Sequence, residues 1–260
     1  MKKEKIIRSQ AKESLKGNWT AAVSGVFVLL GALILLVIFY SMLLSLTGII
    51  SGDELKSGSE TALIIILSST FILAFALSPF KNGYFRLCYN IATDRSDGLR
   101  DIFYFFSGIK LYFKALQFNI IIMLKRILFS VIGFIPYILF ATIKYLLFLT
   151  ATDGMTKQFF DTSEAVIICL CVTITIIISI RLFIPEFVFV DNYEANVFSI
   201  SNVITKKHLK DYYRLVSTFL FWILLCFFVL PGLYVIPYFT TSLGTTSKWL
   251  INLYKEGKTV

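Results

Sequence analysis

"TAAVSGVFVLLGALILLVIFYSMLLSLTGII", residues 20–50, contains no charged side chain. A helix needs roughly 20 apolar residues to cross ~30 Å of hydrocarbon, and this run exceeds that length. The basic lead-in "SLKGNW" at residues 14–19 invites comparison with an export signal. A cleavable signal has an apolar core of only about 7–15 residues and a small-x-small cut site, and neither is visible. The stretch is therefore expected to stay and to span.

The rest of the chain matches it. Hydrophobic residues make up 57%, charged residues 16%, and there are 26 Phe; the mean hydropathy is +0.78. That balance lies well beyond a soluble domain's. Further uncharged runs lie at 61–80 and 215–247, and two apolar segments, 115–152 and 165–190, carry isolated charges. The run at 215–247 is too long for one helix, and Pro231-Gly232 inside it reads as a tight turn. The reading is an all-α polytopic transmembrane helical bundle, one integral membrane domain over 1–260. About six spans are expected, at 20–47, 61–80, 117–142, 164–188, 215–231 and 234–253.

Lys and Arg are retained on the cytoplasmic side, and acidic residues contribute little to orientation. Six basic residues precede the first span and six more fall in 81–114, with Lys206, Lys207, Lys210 and Arg214 in 191–214. The opposite loops carry one each, Lys56 and Lys157, among Asp53, Glu54, Glu60, Asp153 and Asp161. A multi-pass cell-membrane protein with both termini in the cytoplasm is expected.

Three span entries share one arrangement, a lysine with an aromatic residue three positions later: Lys16/Trp19, Lys110/Phe113 and Lys210/Tyr213. Lysine reaches toward phosphate while the ring sits at the headgroup boundary, so the pair sets helix depth. Tyr112 also precedes Pro136-Tyr137 by the interval at which Tyr213 precedes Pro237-Tyr238. One reading is an approximate repeat (1–80, 95–190 and 195–254), giving three hairpins, each introduced by an amphipathic cytoplasmic connector helix. The other is that any multi-pass protein places such residues at its interfaces. Leu99, Ile102, Phe103, Phe106 and Ile109 would form the apolar face of the second connector, and Ile7, Ala11 and Leu15 that of the first. Asp97 would cap the second connector, and Asp191 with Glu194 would form a capping box for the third.

"AKESLKGNW" (residues 11–19), "FVFVDN" (187–192) and "VLPGLYVIPYFTTS" (229–242) occur in this order along the chain. Together they resemble an uncharacterised integral membrane family of Gram-positive bacteria, domain of unknown function family nine-seven-five. The likeness implies the membrane architecture and no activity. More loosely, the layout is similar to the membrane domain attached to some glycerophosphodiesterases.

Catalytic and metal constellations are not evident. His208 stands beside Lys206 and Lys207 in a connector, and Cys169 and Cys171, two apart in an apolar span, point to different helix faces. The glycines form no phosphate-cradling motif. A protein that is not an enzyme, with no cofactor, is expected.

Ionisable residues in spans cost about 2.5–3.5 kcal/mol on insertion scales, so they face the bundle interior or reach the headgroups. The candidates are Lys125, Arg126, Arg181 and Glu186. They read as an inward cationic pocket for an anionic headgroup or solute, with Glu186 neutralising one arginine. A second reading puts Lys125 and Arg126 at the inner boundary, with the third span beginning at Ile127 and Lys144 reaching outward. The net charge of +9, interleaved with Phe and Tyr, suits helices lying on anionic cytoplasmic-leaflet lipids and does not suit nucleic acid. The expected role is a lipid-associated membrane-integrity or scaffold component, compatible with a membrane-protein partner or homo-oligomer. The alternative is a transporter or export accessory subunit for a small solute or lipid, for which Pro136, Pro185, Pro231 and Pro237 would break the helices.

Overall fold

The computed structural model describes residues 3–47, 59–148, 154–225 and 229–256. These residues are mostly helical, with short connections and without strands. In chain order they form α1 Lys3–Leu15, α2 Trp19–Thr47, α3 Ser59–Leu77, α4 Pro79–Ala92 and α5 Arg100–Phe103, the last followed by a 3₁₀ turn, Tyr104–Phe106. Then come α6 Ile109–Phe148, α7 Gly154–Ser179, a 3₁₀ turn Ile180–Leu182, α8 Phe183–Asp191, α9 Val197–Leu225 and α10 Val229–Lys255. The loops expected to hold Asp53, Glu54, Lys56 and Asp153 lie outside the described residues.

Four stretches are long and apolar enough to cross a membrane: Trp19–Leu46, Leu63–Ala92, Ile109–Leu146 and Thr162–Asp191. α2 packs on α3 and α6 on α7. Their outward faces expose Leu33, Ile38 and Met42 on α2, Ile65 and Ile72 on α3, Leu139 and Leu146 on α6, and Val166 and Ile176 on α7. An apolar surface that extensive is stable against hydrocarbon and unstable against water. At 40 residues and about 1.5 Å per residue, α6 is roughly twice as long as the ~30 Å core is thick, so its basic N-terminal part extends beyond the span.

The other two expected spans fall in α9 and α10, and α10 has a different character. It carries a buried hydroxyl-rich side with Thr240, Thr241, Ser242, Thr245, Thr246 and Ser247. Several of these hydroxyls bond back to the helix, with Ser242 donating to Tyr238 O, Thr245 to Thr241 O and Thr246 to Ser242 O. α10 packs against α4, α1, α9 and α2, so much of its surface meets protein. Pro231 lies in its first turn, where a missing N–H costs nothing. Pro231-Gly232, expected to form the turn between two spans, instead lies inside α10, and residues 226–228 lie outside the described residues.

A packed layer is built around α4, the C-terminal part of the second apolar stretch. Eleven of its 14 residues are buried, against α10, α5, α8, α2 and α1. Gly83 permits the closest of these approaches: a Cβ there would lie 2.0 Å from the carbonyl oxygen of Ile102. α8 contributes Phe187, Val188, Phe189 and Val190, all buried. Phe105, Phe189, Phe118 and Phe198 stack in series, with centroid separations of 5.3, 4.2 and 5.9 Å.

α1 closes the layer. Ile7, Ala11 and Leu15, its apolar face, are buried. Glu4 pairs with Arg214 at 2.9 Å, and the Arg8 guanidinium donates to Tyr238 Oη at 3.2 Å and lies over the Phe219 ring. The turn into α2 uses Gly17 at φ +85°, a conformation side chains resist.

Three local expectations change. The second connector is a short helix plus a 3₁₀ turn, which buries Ile102 and Phe105 and leaves Leu99, Phe103, Phe106 and Ile109 exposed. Asp97 does not cap it: the Asp97 backbone N–H instead donates to Asp101 at 3.1 Å. Asp191 and Glu194 form no capping box; Asp191 accepts from Tyr89 Oη and Lys255 Nζ, and the Ser199 N–H donates to Asn196 at the start of α9.

Two predictions follow from this packing. Gly83→Ala should lower the thermal midpoint in detergent, at a cost of about 1–3 kcal/mol, because the obstructing atom is backbone. Asp101 is buried and takes hydrogen bonds from the Asp97 N–H and Asn90 Nδ2, with Arg86 Nε 3.4 Å away. Burial outweighs these donors and pushes its carboxyl above the ordinary 3.8. The folded state then holds this proton more tightly than the unfolded chain. The resulting stabilisation is complete below 3.8 and is lost as pH rises through the higher folded value. Melting curves across that window should show the midpoint falling with pH, and Asp101→Asn should flatten the slope.

Candidate functional site

α6, α8 and α9 converge with the 3₁₀ turn between α7 and α8 around a cleft of about 600 Å³. Lys125 comes from α6, Arg181 from the turn, and Ser201, Asn202, Thr205 and Lys206 from the first turns of α9. Leu128, Phe129, Leu182 and Pro185 supply an apolar wall. Lys125 Nζ lies 3.6 Å from the Phe198 ring centroid, at the end of the aromatic stack. Arg181 and Lys206 have no carboxylate partner among the described residues. The Ser201 and Thr205 hydroxyls donate to their own helix, which leaves the three cations and Asn202 to meet a ligand. The cleft presents positive charge and donors beside hydrocarbon, an arrangement suited to an anionic amphiphile.

Glu186, expected beside Arg181, faces away from this cleft. It is 1% exposed and pairs with Lys81 Nζ at 2.7 Å and Arg126 at 3.5 Å. Arg181 lines the cleft from the 3₁₀ turn while Glu186 on α8 meets Lys81 and Arg126, so the two look to different sides. The four expected pocket residues thus divide. Lys125 and Arg181 share the cleft, while Arg126 joins Glu186 and Lys81 on the opposite side of α6. Lys81 read only as a connector charge, and its pairing across 105 positions has no local signal. Lys206 and Asn202 were equally invisible as cleft residues.

The expected interfacial anchors are spread along the layer. Lys16, Lys110 and Lys210 are exposed, and Phe113 is exposed on α6. Trp19 stacks on Tyr234 at 4.9 Å, and Tyr213 Oη donates to Ile177 O at 2.8 Å. Tyr112 Oη makes the same tie to Ala76 O, also 36 residues earlier and also near the end of an apolar helix. Lys144 pairs with Glu164 at 2.5 Å, across α6 and α7, and does not extend freely outward; Tyr137 donates to the same carboxylate. His208 sits 3.5 Å from Asp211, with its ring nearly perpendicular to that of Trp249. No group of three or more His, Cys, Asp or Glu side chains is placed to hold a metal among the described residues.

A chain whose described residues are mostly helical, with four membrane-length apolar stretches, is a multi-pass membrane protein. It belongs to the family described as protein of unknown function (DUF975), whose profile matches residues 1–245. No curated protein matches it, and no solved structure does.

Glu186→Gln should lower thermal stability by about 1–3 kcal/mol, less than a fully buried pair would cost, because Lys81 and Arg126 retain partial solvation. Adding Lys81→Met should recover part of that loss, and a double-mutant cycle on melting midpoints reads the coupling directly.

Proposed function

We propose that this protein acts without covalent chemistry as a lipid-associated integrity or scaffold component of the bacterial cell membrane. Its termini and basic connecting segments face the cytoplasm, and its cleft holds the headgroup of an anionic lipid. The observation that carries this reading is the joining of Lys125, Arg181 and Lys206, with no carboxylate among the lining residues, to an apolar wall. The basic residues of α1, the 81–114 segment and α9 support the same orientation. An anionic leaflet attracts each Lys or Arg near its surface by about 1 kcal/mol. A second copy of the chain or another membrane protein is a compatible partner; nucleic acid is not. The alternative, a transporter or export accessory subunit, draws on Pro136 and Pro237 inside α6 and α10.

Native mass spectrometry of the full chain released from detergent should show anionic lipid retained. Arg181→Gln with Lys206→Gln should reduce that retention by about ten- to thirtyfold, the loss of roughly two surface attractions. Vesicles containing the protein should not speed the movement of a fluorescent phosphatidylglycerol between leaflets. Movement that Arg181→Gln abolishes would replace this reading with the transporter, and hydrolysis of a lipid ester by pure protein would defeat both.

A further inference from the structure

A second groove, of about 270 Å³, lies on the other side of α6, between it and α3. The two helices are tied at its base by Tyr112 Oη donating to Ala76 O at 3.0 Å and Asn119 Nδ2 donating to Ser78 Oγ at 2.8 Å. Phe71, Phe75, Ile122 and Met123 supply its apolar lining, and Lys81, Asn119 and Arg126 its polar lining. Phe71 is also outwardly exposed on α3, within the apolar surface of the spans.

Two observations in the polar lining specify an occupant. The first is charge. Lys81 and Arg126 share the single carboxylate of Glu186, so two positive charges and one negative leave a net charge of one positive. Arg126 meets that carboxylate at 3.5 Å and is 49% exposed, so its guanidinium retains donors for a further acceptor. The second is an unpartnered amide. Asn119 is 7% exposed, and its Oδ1 is buried with no donor. Leaving such an acceptor unpaired costs about 1–3 kcal/mol. Turning the amide over would leave its nitrogen unpaired instead. A hydroxyl group both donates and accepts, and so answers either arrangement.

We infer that the α3–α6 groove holds one phospholipid whose headgroup is a singly charged phosphodiester carrying a free hydroxyl. The phosphate meets Arg126, the hydroxyl pairs with the Asn119 amide, and an acyl chain leaves the groove past the exposed Phe71. This rests on the lipid-associated reading, but uses different residues from the α6–α8–α9 cleft.

The test compares three probes on the purified full chain by native mass spectrometry: phosphatidylglycerol, phosphatidylmethanol and phosphatidylcholine. The first two share a charge, and only the first has headgroup hydroxyls. Phosphatidylglycerol should be retained about three- to tenfold better than phosphatidylmethanol, the net worth of one hydrogen bond. Asn119→Leu should erase that ratio, and Arg126→Gln should weaken both anionic lipids. Met123→Trp, which fills the groove from its apolar side without touching a polar group, should reduce phosphatidylglycerol retention if Asn119→Leu fails to fold. Arg181→Gln with Lys206→Gln should leave the ratio unchanged. Equal retention of the two anionic lipids, both above phosphatidylcholine, would overturn the groove assignment alone and leave a water on Asn119. A ratio that survives Asn119→Leu would overturn it too. No preference for either anionic lipid would bring down the wider lipid reading as well.

Discussion

The burial of α4 on nearly all sides is the constraint on which the rest of the structure depends. A helix enclosed this way in a membrane protein needs neighbours that approach closely, because packing and internal hydrogen bonds hold membrane helices together in place of hydrophobic exclusion. α4 obtains them from Gly83, against the backbone of α5, and from the hydroxyl-bearing side of α10. The same enclosure explains why α10 is a core helix although its sequence is nearly as free of charge as a span. Ser242, Thr245 and Thr246 satisfy their hydroxyls on the helix itself, and small side chains let α10 pack against α4.

The residues that carry the family resemblance are the pieces assembled around α4. In "AKESLKGNW", Ala11 and Leu15 are buried, Gly17 makes the turn and Trp19 stacks on Tyr234. In "FVFVDN", the four apolar residues enter the core and Asp191 accepts from Tyr89 and Lys255. In "VLPGLYVIPYFTTS", Tyr238 meets Arg8 and Phe219. All three stretches are packing elements, so the likeness they support is one of fold and leaves activity open.

Charge is organised around α6. On one side Glu186 neutralises part of Lys81 and Arg126; on the other Lys125, Arg181 and Lys206 stand without a carboxylate among the cleft residues. Placing the one fully buried carboxylate of this region against two cations leaves the cleft's positive charge uncompensated from within the protein.

The sequence by itself determined that the chain is helical, that most of it belongs in hydrocarbon, and which segments are basic. Each of these follows from composition and run length, which are local quantities. It also placed the buried face of α1 at Ile7, Ala11 and Leu15, because one side of a single amphipathic helix is legible from spacing. The tertiary structure decided which of the apolar runs became core, as α10 did, and which charges met. Near neighbours in sequence such as Arg181, on a 3₁₀ turn, and Glu186, on α8, face apart. Lys81 reaches Glu186 across 105 positions because two helices happen to pack there, and no local pattern encodes that meeting.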